Sequence, residues 1–335
     1  MVSPDLARML DFPRVHLGDW PTPISILSRA ETPGILVKRD DLSGHGRGGV
    51  KTRKIEHLIG YMLANGYDEF ITVVANVTNL IHDILPVLQR FGLHQQLFVI
   101  NDPPLPSSDR DKIFKDVREH VHFLGPGRLQ TASSMMMAAM KSRKRSRRPF
   151  VALPSLSHPT GVVGNACGFI EMVTQMRASG EPLPSKVFIT AASGTTFAGF
   201  LLAENALRQD GCAPIRIIGV QVYPGQARLW TIALLRWTER FLGLRGRVPY
   251  ERIELISSHL YAGFGRYPEE LAELCLTLRR ESGINIDPIF GGKTWSVMET
   301  HLSLDSKIDD RPVLYWHCGY TPDWQALGES INNHR

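Results

Sequence analysis

The chain has 335 residues, of which 43% are apolar and 21% charged, the balance of a globular protein of about two domains that can bury a full core. Much of its formal charge of +5 sits in one run, 141–148 (KSRKRSRR); no aromatic residue interleaves these cations, so the run reads as a solvated helix end and loop, and nucleic acid is not an expected partner. No stretch approaches ~18 consecutive apolar residues, the N-terminal stretch carries charges where a leader needs an apolar run, and Cys167, Cys212, Cys275 and Cys318 lack CxxC or His-flanked spacing, so membrane spans, disulfides and metal sites are not expected and a cytoplasmic location is the default.

The first strand-like run is 35–38, which leads into Lys38-Arg39-Asp40-Asp41-Leu42. After Gly48 and Gly49 comes Lys51, directly before a helix whose Ile55, Leu58, Ile59 and Met62 share one face. The glycines allow a tight turn and leave room at the surface, and the helix gives the lysine a rigid support, which suits an amine that must meet an aldehyde. Such an amine must lose its proton, and the cations Arg53 and Lys54 favour that loss. Taken alone the signal is weak, because Lys and Arg in a first helical turn usually face solvent.

A second strand, 70–75, ends just before Val77-Thr78-Asn79. Ligands of open α/β sheets bind beyond the carboxyl ends of strands, so this hydroxyl and amide are placed for a substrate carboxylate or a cofactor oxygen. Helix capping accounts for them without a ligand. Pro86 should kink or shorten the helix that follows, and the proline-rich 101–106 segment is a loop after the strand at 97–100. Strands follow at 120–124 and 150–153, and Met135, Met136, Met137 and Met140 between them read as core or lobe-interface packing in a helix. His16, His45, His57 and His82 have no ligand spacing.

The strand at 187–190 runs into Ser193-Gly194-Thr195-Thr196 and then a helix. Small hydroxylated residues at a strand-to-helix turn aim N–H groups and hydroxyls at one point on the positive end of the helix dipole, where a phosphate fits. Neither GxxxxGK[ST] nor GxGxxG is present, so a phosphorylated cofactor other than a nucleotide is the expectation; a plain N-cap turn is the alternative. Strands at 215–222 and 313–317 complete an alternation of strands and helices typical of α/β proteins with mostly parallel sheets.

Together these segments resemble the 1-aminocyclopropane-1-carboxylate deaminase and D-cysteine desulfhydrase family of fold type II pyridoxal-phosphate enzymes, in register from about Thr22 to about Trp324. KRDDLSGHGRGGVKTRKIEHL is similar to the family's KRDDL…GGNKTRKLE, ANVTNLIHDILPVLQRFGL to VQSNHARQTAAAAALLGL, ALPSLSHPTGVVGN to IPxGGSNPLGxLGY, GINIDPIFGGKTW to GIxLDPVYTGKAM and YWHCGYTP to IHTGG; TAASGTTFAGFLLA looks like the phosphate loop. The resemblance implies two lobes of open, twisted, mostly parallel sheets flanked by helices, with pyridoxal 5'-phosphate between them. Residues 49–158 would form a small lobe inserted in a large one made of 1–48 and 159–335. Lobe closure and a homodimer are implied as well. Lys51 takes the Schiff-base position, Asn79 lies beside the cofactor's phenolic oxygen, and Ser193, Gly194, Thr195, Thr196 and Lys54 hold its phosphate. Thr78 faces the substrate.

This chain departs from the family at several of these places. Thr78 replaces a Ser, Leu80 a His, and Phe264 and Phe290 two tyrosines that could move a proton. Gly291 stands where an acidic residue or Thr faces the pyridine nitrogen, which leaves a neutral pyridine met by a hydroxyl or thiol, and Cys318 is in the right segment. Ring opening of a cyclopropane is therefore disfavoured. The implied reaction is Cα deprotonation and β-elimination on a small amino acid, a lyase or deaminase. β- or γ-replacement in a biosynthetic pathway is the alternative, favoured by a dry Phe264/Phe290 pocket. A weakened relative that only binds a ligand or partner is the third reading, prompted by Thr78, Gly291 and Tyr320 and opposed by Lys51.

Overall fold

Apolar runs long enough to cross a sheet become strands, and the periodic segments between them become the helices that cover it. The computed structural model describes residues 2–27, 34–46, 48–75, 79–100, 121–124, 128–222, 225–258, 266–304 and 310–319, the side chains of 75, 79, 81, 82 and 128–130 excepted. Its elements are α1 (Pro4–Leu10), β1 (Ile24–Leu27), β2 (Ile35–Arg39), α2 (Val50–Ala64), β3 (Glu69–Ala75), α3 (Asn79–Arg90), β4 (His94–Ile100), β5 (Val121–Leu124), α4 (Arg128–Lys144), β6 (Pro149–Ala152), α5 (Pro159–Ser179), β7 (Lys186–Ala191), α6 (Thr195–Gln209), β8 (Arg216–Gln221), α7 (Ala227–Leu242), β9 (Glu254–Ser257), α8 (Glu269–Ser282), α9 (Gly291–Leu304) and β10 (Val313–His317).

They form two sheets, β1-β2-β10-β7-β8-β9 and β5-β4-β3-β6. All pairings are parallel except β1 with β2. Parallel strands are covered on both faces, and the alternation shows it. Val187, Ile189, Leu314 and Trp316 pack into one core with α5 and α6, while Phe188 and Tyr315 point the other way, toward Trp295 and Met298 of α9. In the smaller sheet Phe70 and Val74 face α2 and α3, and Ile71 and Val73 face α4.

All eight strands expected from the sequence are present. β1 and β9 are additional, and both are edge strands with mostly half-buried or exposed side chains, so their apolar signal is weak. Pro86 does not end α3; it is exposed, and the backbone carbonyl it leaves without a partner can turn to water. The reading of the methionines needs correction: Met135 is buried with Ala138 and Ala139, whereas Met136, Met137 and Met140 are 64%, 55% and 53% exposed. Only the i, i+3, i+4 stripe of α4 meets the sheet. The basic run caps the end of α4, with Arg143, Lys144 and Arg145 exposed. The 101–106 loop lies outside the described residues. All four cysteines are free, and no described helix is long and apolar enough to cross a membrane.

Candidate functional site

The site is built where the carboxyl ends of β10 and β7 meet the N-terminal ends of α2 and α6. Gly48 and Gly49 enter α2 with φ of +65° and +87°. A Cβ on Gly49 would lie 2.1 Å from the Cys318 carbonyl oxygen and 2.4 Å from the Gly319 Cα, so only glycine lets the two backbones cross here. The Val50 N–H then donates to the Cys318 carbonyl at 2.9 Å, fixing the first turn of α2 against the end of β10. Lys51, half-buried, therefore stands beside Cys318.

One turn on, Lys54 is only 6% exposed, yet it makes no hydrogen bond or ion pair among the described residues. Burial, and then the charge of Lys51, push its amine down to about 7. Its Cγ and the Thr195 Cγ2 each lie 3.4 Å from the place a Gly161 Cβ would occupy, so α2, α5 and α6 converge at Gly161. At the α6 terminus Gly194 is the N-cap with φ +79° and offers no side-chain cap, which leaves first-turn N–H groups open. The Thr195 hydroxyl is 3.2 Å from that of Ser157 and 3.1 Å from that of Ser193. An unpaired buried ammonium, an uncapped helix terminus and three linked hydroxyls fit a phosphate dianion. An amine beside them fits the aldehyde of the same molecule.

A sequence model of pyridoxal-phosphate-dependent enzymes matches residues 15–319. The chain belongs to that family. Among its relatives, a protein named "Putative 1-aminocyclopropane-1-carboxylate deaminase" in Pyrococcus abyssi is 27% identical over 97% of this chain and 97% of its own length. A D-cysteine desulfhydrase of Salmonella paratyphi A is 26% identical, over 95% and 97%. The crystal structure of an ACC deaminase homologue superposes with a TM-score of 0.80 at 25% identity, covering 99% of both chains. Apo diaminopropionate ammonia lyase of Escherichia coli shares the fold alone, with a TM-score of 0.64 at 16% identity over 100% of this chain and 94% of that one.

One of this pyridoxal-phosphate enzyme's motif residues, Arg53, has a role other than the one the sequence suggested. Arg53 does not add free charge beside the lysine. Its guanidinium donates to both Asp40 oxygens at 2.9 and 2.8 Å and to both Glu171 oxygens at 3.0 Å, and stacks over Trp20. Burial opposes its charge, and the carboxylates more than restore it. Lys38 donates to Glu171 at 2.7 Å and to Gln175, and Trp316 donates to Asp40 at 2.9 Å. The KRDD and TRK segments thus pin α2 to β2, β10 and α5 through a buried ion network. A lysine inside the strand ILVKR and a glutamate inside the apolar helix 159–179 were the available signals, because charges in such runs must be paired.

Phe290 is half-buried at the start of α9, and its N–H donates to Asp287 at 2.7 Å. A Cβ on Gly291 would meet Ile286 Cγ2 at 2.6 Å and the Tyr315 hydroxyl at 3.0 Å, so no larger side chain fits there without movement. Asn79 begins α3 directly beyond β3, and nothing is described of its side chain. Thr78, Phe264 and Tyr320 lie outside the described residues. Ser157, Thr190 and Thr294, which local sequence did not single out, also belong to this region. Hydroxyls inside otherwise apolar segments carry no pattern that separates them from ordinary helix and strand residues.

Proposed function

We propose that this chain is a pyridoxal-phosphate-dependent lyase that removes the Cα proton of a small amino acid and expels a group from Cβ. The observation that carries the reading is Lys54, a buried ammonium without a counter-charge, set one helical turn from Lys51 and against the hydroxyl-rich turn at 193–196. When bound, the cofactor supplies a conjugated ring that takes up electrons released at Cα. Lys51 Nζ would hold the cofactor through its aldehyde carbon, and the same amine, half-buried at the start of α2, would take the proton from Cα. Lys54, the N–H groups opening α6 and the hydroxyls of Ser193, Thr195 and Thr196 bind the phosphate, with Gly194 giving room for its approach. Cys318, just past the end of β10 and beside Lys51, would line the edge of the ring site. By sequence register Asn79 orients the ring and Thr78 the substrate. Phe290, half-buried at the start of α9, and by sequence register Phe264 would make the pocket apolar and exclude water.

Substituting Lys51→Ala should abolish the near-visible absorbance of bound cofactor and the borohydride-fixed mass adduct on the 51-containing peptide. An unchanged spectrum sinks the assignment. The apolar Phe290 wall favours a second reading, β-replacement, because a dry pocket protects a reactive product from water. Incubation with O-acetylserine or D-cysteine separates the two: keto-acid release unaffected by an added nucleophile counts against replacement. The same reading takes 49–158 as a small lobe inserted into a large one and the enzyme as a cytoplasmic homodimer, and sedimentation at several concentrations tests the assembly.

A further inference from the structure

The basic run at 141–148 has no part in the pyridoxal-phosphate site. It belongs to a longer stretch without counter-charge: no Asp or Glu occurs between Glu119 and Glu171, whereas seven Lys and Arg residues do, an excess larger than the whole chain's formal charge of +5. Lys141, Arg143, Lys144 and Arg145 are exposed and make no ion pair among the described residues. Apolar side chains adjoin them. Met136, Met137 and Met140 are each more than half exposed. The i, i+4 spacing sets Met137 beside Lys141 and Met140 beside Lys144, so the outer stripe of α4 turns from apolar to cationic along its length. α4 packs against β6, where Val151 and, just beyond, Leu153 are 41% and 38% exposed. Val151 is paired with Ile71, whose side chain packs under α4, so Val151 opens on the α4 side of the sheet. β6 is the last strand on that side among the described residues. The surface is therefore a step, with methionines on the raised helix, two aliphatic side chains along the lower strand and cations at one end.

We propose that this step is a docking site for an acidic amphipathic helix of a partner protein, apolar along one face and carrying carboxylates that meet the cations at the end of α4. Single exposed apolar residues are ordinary on a protein surface, but five on two adjoining elements make a patch. Methionine is flexible and polarisable, and it suits a surface that must mould itself to a partner. The cations have no carboxylate of their own, so complementary charge both attracts the partner and sets its direction along α4. At 17 residues α4 is about 26 Å long, enough to lie along a partner helix of several turns. A flat lipid surface would rest on the raised helix and leave Val151 and Leu153 uncovered, whereas a rod fills the angle of the step. Nucleic acid would use the cations, but it finds no aromatic face in the basic run to stack on and gains nothing from the methionines. α4 and the lysine-bearing α2 cover opposite faces of the smaller sheet, so an occupant here leaves the substrate cleft open. The site tethers a partner to the enzyme without competing with its substrate.

The test uses the full chain with its cofactor and fluorescent helical peptides about 15 residues long. One peptide carries Leu on one face and Glu on the other; the second has Ser in place of every Leu and the same charge. The Leu/Glu peptide should bind about tenfold more tightly than the Ser/Glu peptide, and its affinity should fall as salt is raised. The double substitution Arg143→Glu with Lys144→Glu should weaken the Leu/Glu peptide about tenfold. Met136→Ser with Met140→Ser should weaken it by a similar factor and leave the Ser/Glu peptide unchanged. Both variants should keep the cofactor absorbance, the turnover and the urea midpoint, because these side chains are exposed on the face of the sheet away from α2. Equal affinity for the two peptides overturns the proposal, since charge alone then explains binding. Affinity unmoved by both double substitutions also overturns it. So does tighter binding to phosphatidylcholine vesicles containing about one third phosphatidylglycerol, or to oligouridylate, either of which would make the patch a lipid or nucleic-acid surface.

Discussion

Lys54 shows what one side chain implies when its surroundings are incomplete. An ammonium buried this far without an anion is destabilising, so its amine is driven down to about 7. A bound phosphate restores the reason to hold the proton. Cofactor binding slightly above neutral pH should therefore be accompanied by proton uptake, measured by calorimetry in buffers of different ionisation enthalpy. In Lys54→Met that uptake should vanish and affinity should fall, while the stability of the cofactor-free chain holds or rises. A variant that keeps the full uptake would remove Lys54 from the phosphate site. The residue type and its place one turn after Lys51 were legible in the sequence. Its isolation was not, because only packing decides whether a carboxylate comes near.

Among the elements, α2 carries the reacting lysine and is held by charge as much as by apolar contact. Ile55, Leu58, Ile59 and Met62 pack under it, and on its other face Arg53 bridges Asp40 and Glu171. Removing one partner leaves a buried charge uncompensated, so Asp40→Ala should cost about 3–5 kcal/mol in denaturant unfolding. A loss near zero would mean the network is replaceable. The helix periodicity was plain in the sequence, whereas Glu171, far along the chain, could be joined to Arg53 only by the close approach of α5 at Gly164 and Gly168.

The turn before α5 stores a different kind of energy. Ser155 and Leu156 sit at φ +61° and +56°, a left-handed conformation that a side chain resists. Leu156 buries its side chain in compensation, but Ser155 is exposed and gains nothing visible. Ser155→Gly should therefore raise stability by about 1 kcal/mol, read as a shift in urea midpoint. A lower midpoint would show that the serine hydroxyl has a role in this turn. Counting back from Pro159 and Gly161, these positions fall on the two glycines of the pattern IPxGGSNPLG, so this chain adopts a left-handed turn there without the residues that make it easy.

At the scale of the molecule, the two sheets are joined partly through buried imidazoles. His158 caps α5, accepting from the Thr160 N–H, with its ring among Tyr61, Phe150, Trp237 and Phe241 from α2, β6 and α7. His57 accepts no charge either, lying against the Arg53 carbonyl and the backbone of α5. Burial pushes both down to about 4. A depressed histidine contributes stability that is complete above its unfolded value near 6.5 and is lost as pH falls toward 4. Each should remove about 1.4 kcal/mol per pH unit in that window. Urea midpoints at about pH 7 and about pH 5 should differ accordingly, and His158→Asn, which keeps an N-cap and removes the titration, should flatten the slope. An unaltered slope would place the acid sensitivity elsewhere.

Eight strands, the helical face after Lys51, the glycines before it and the hydroxyl turn after β7 were written in the amino-acid order, since run length, periodicity and small-residue turns are local properties. The edge strands, the solvent face of the methionine helix, the capture of Arg53 by two carboxylates and the convergence of α2, α5 and α6 at Gly161 were settled by the fold alone. Each of these depends on which distant segments come into contact, and contact across a long chain is fixed by the packing of whole sheets and helices, to which no short stretch of sequence has access.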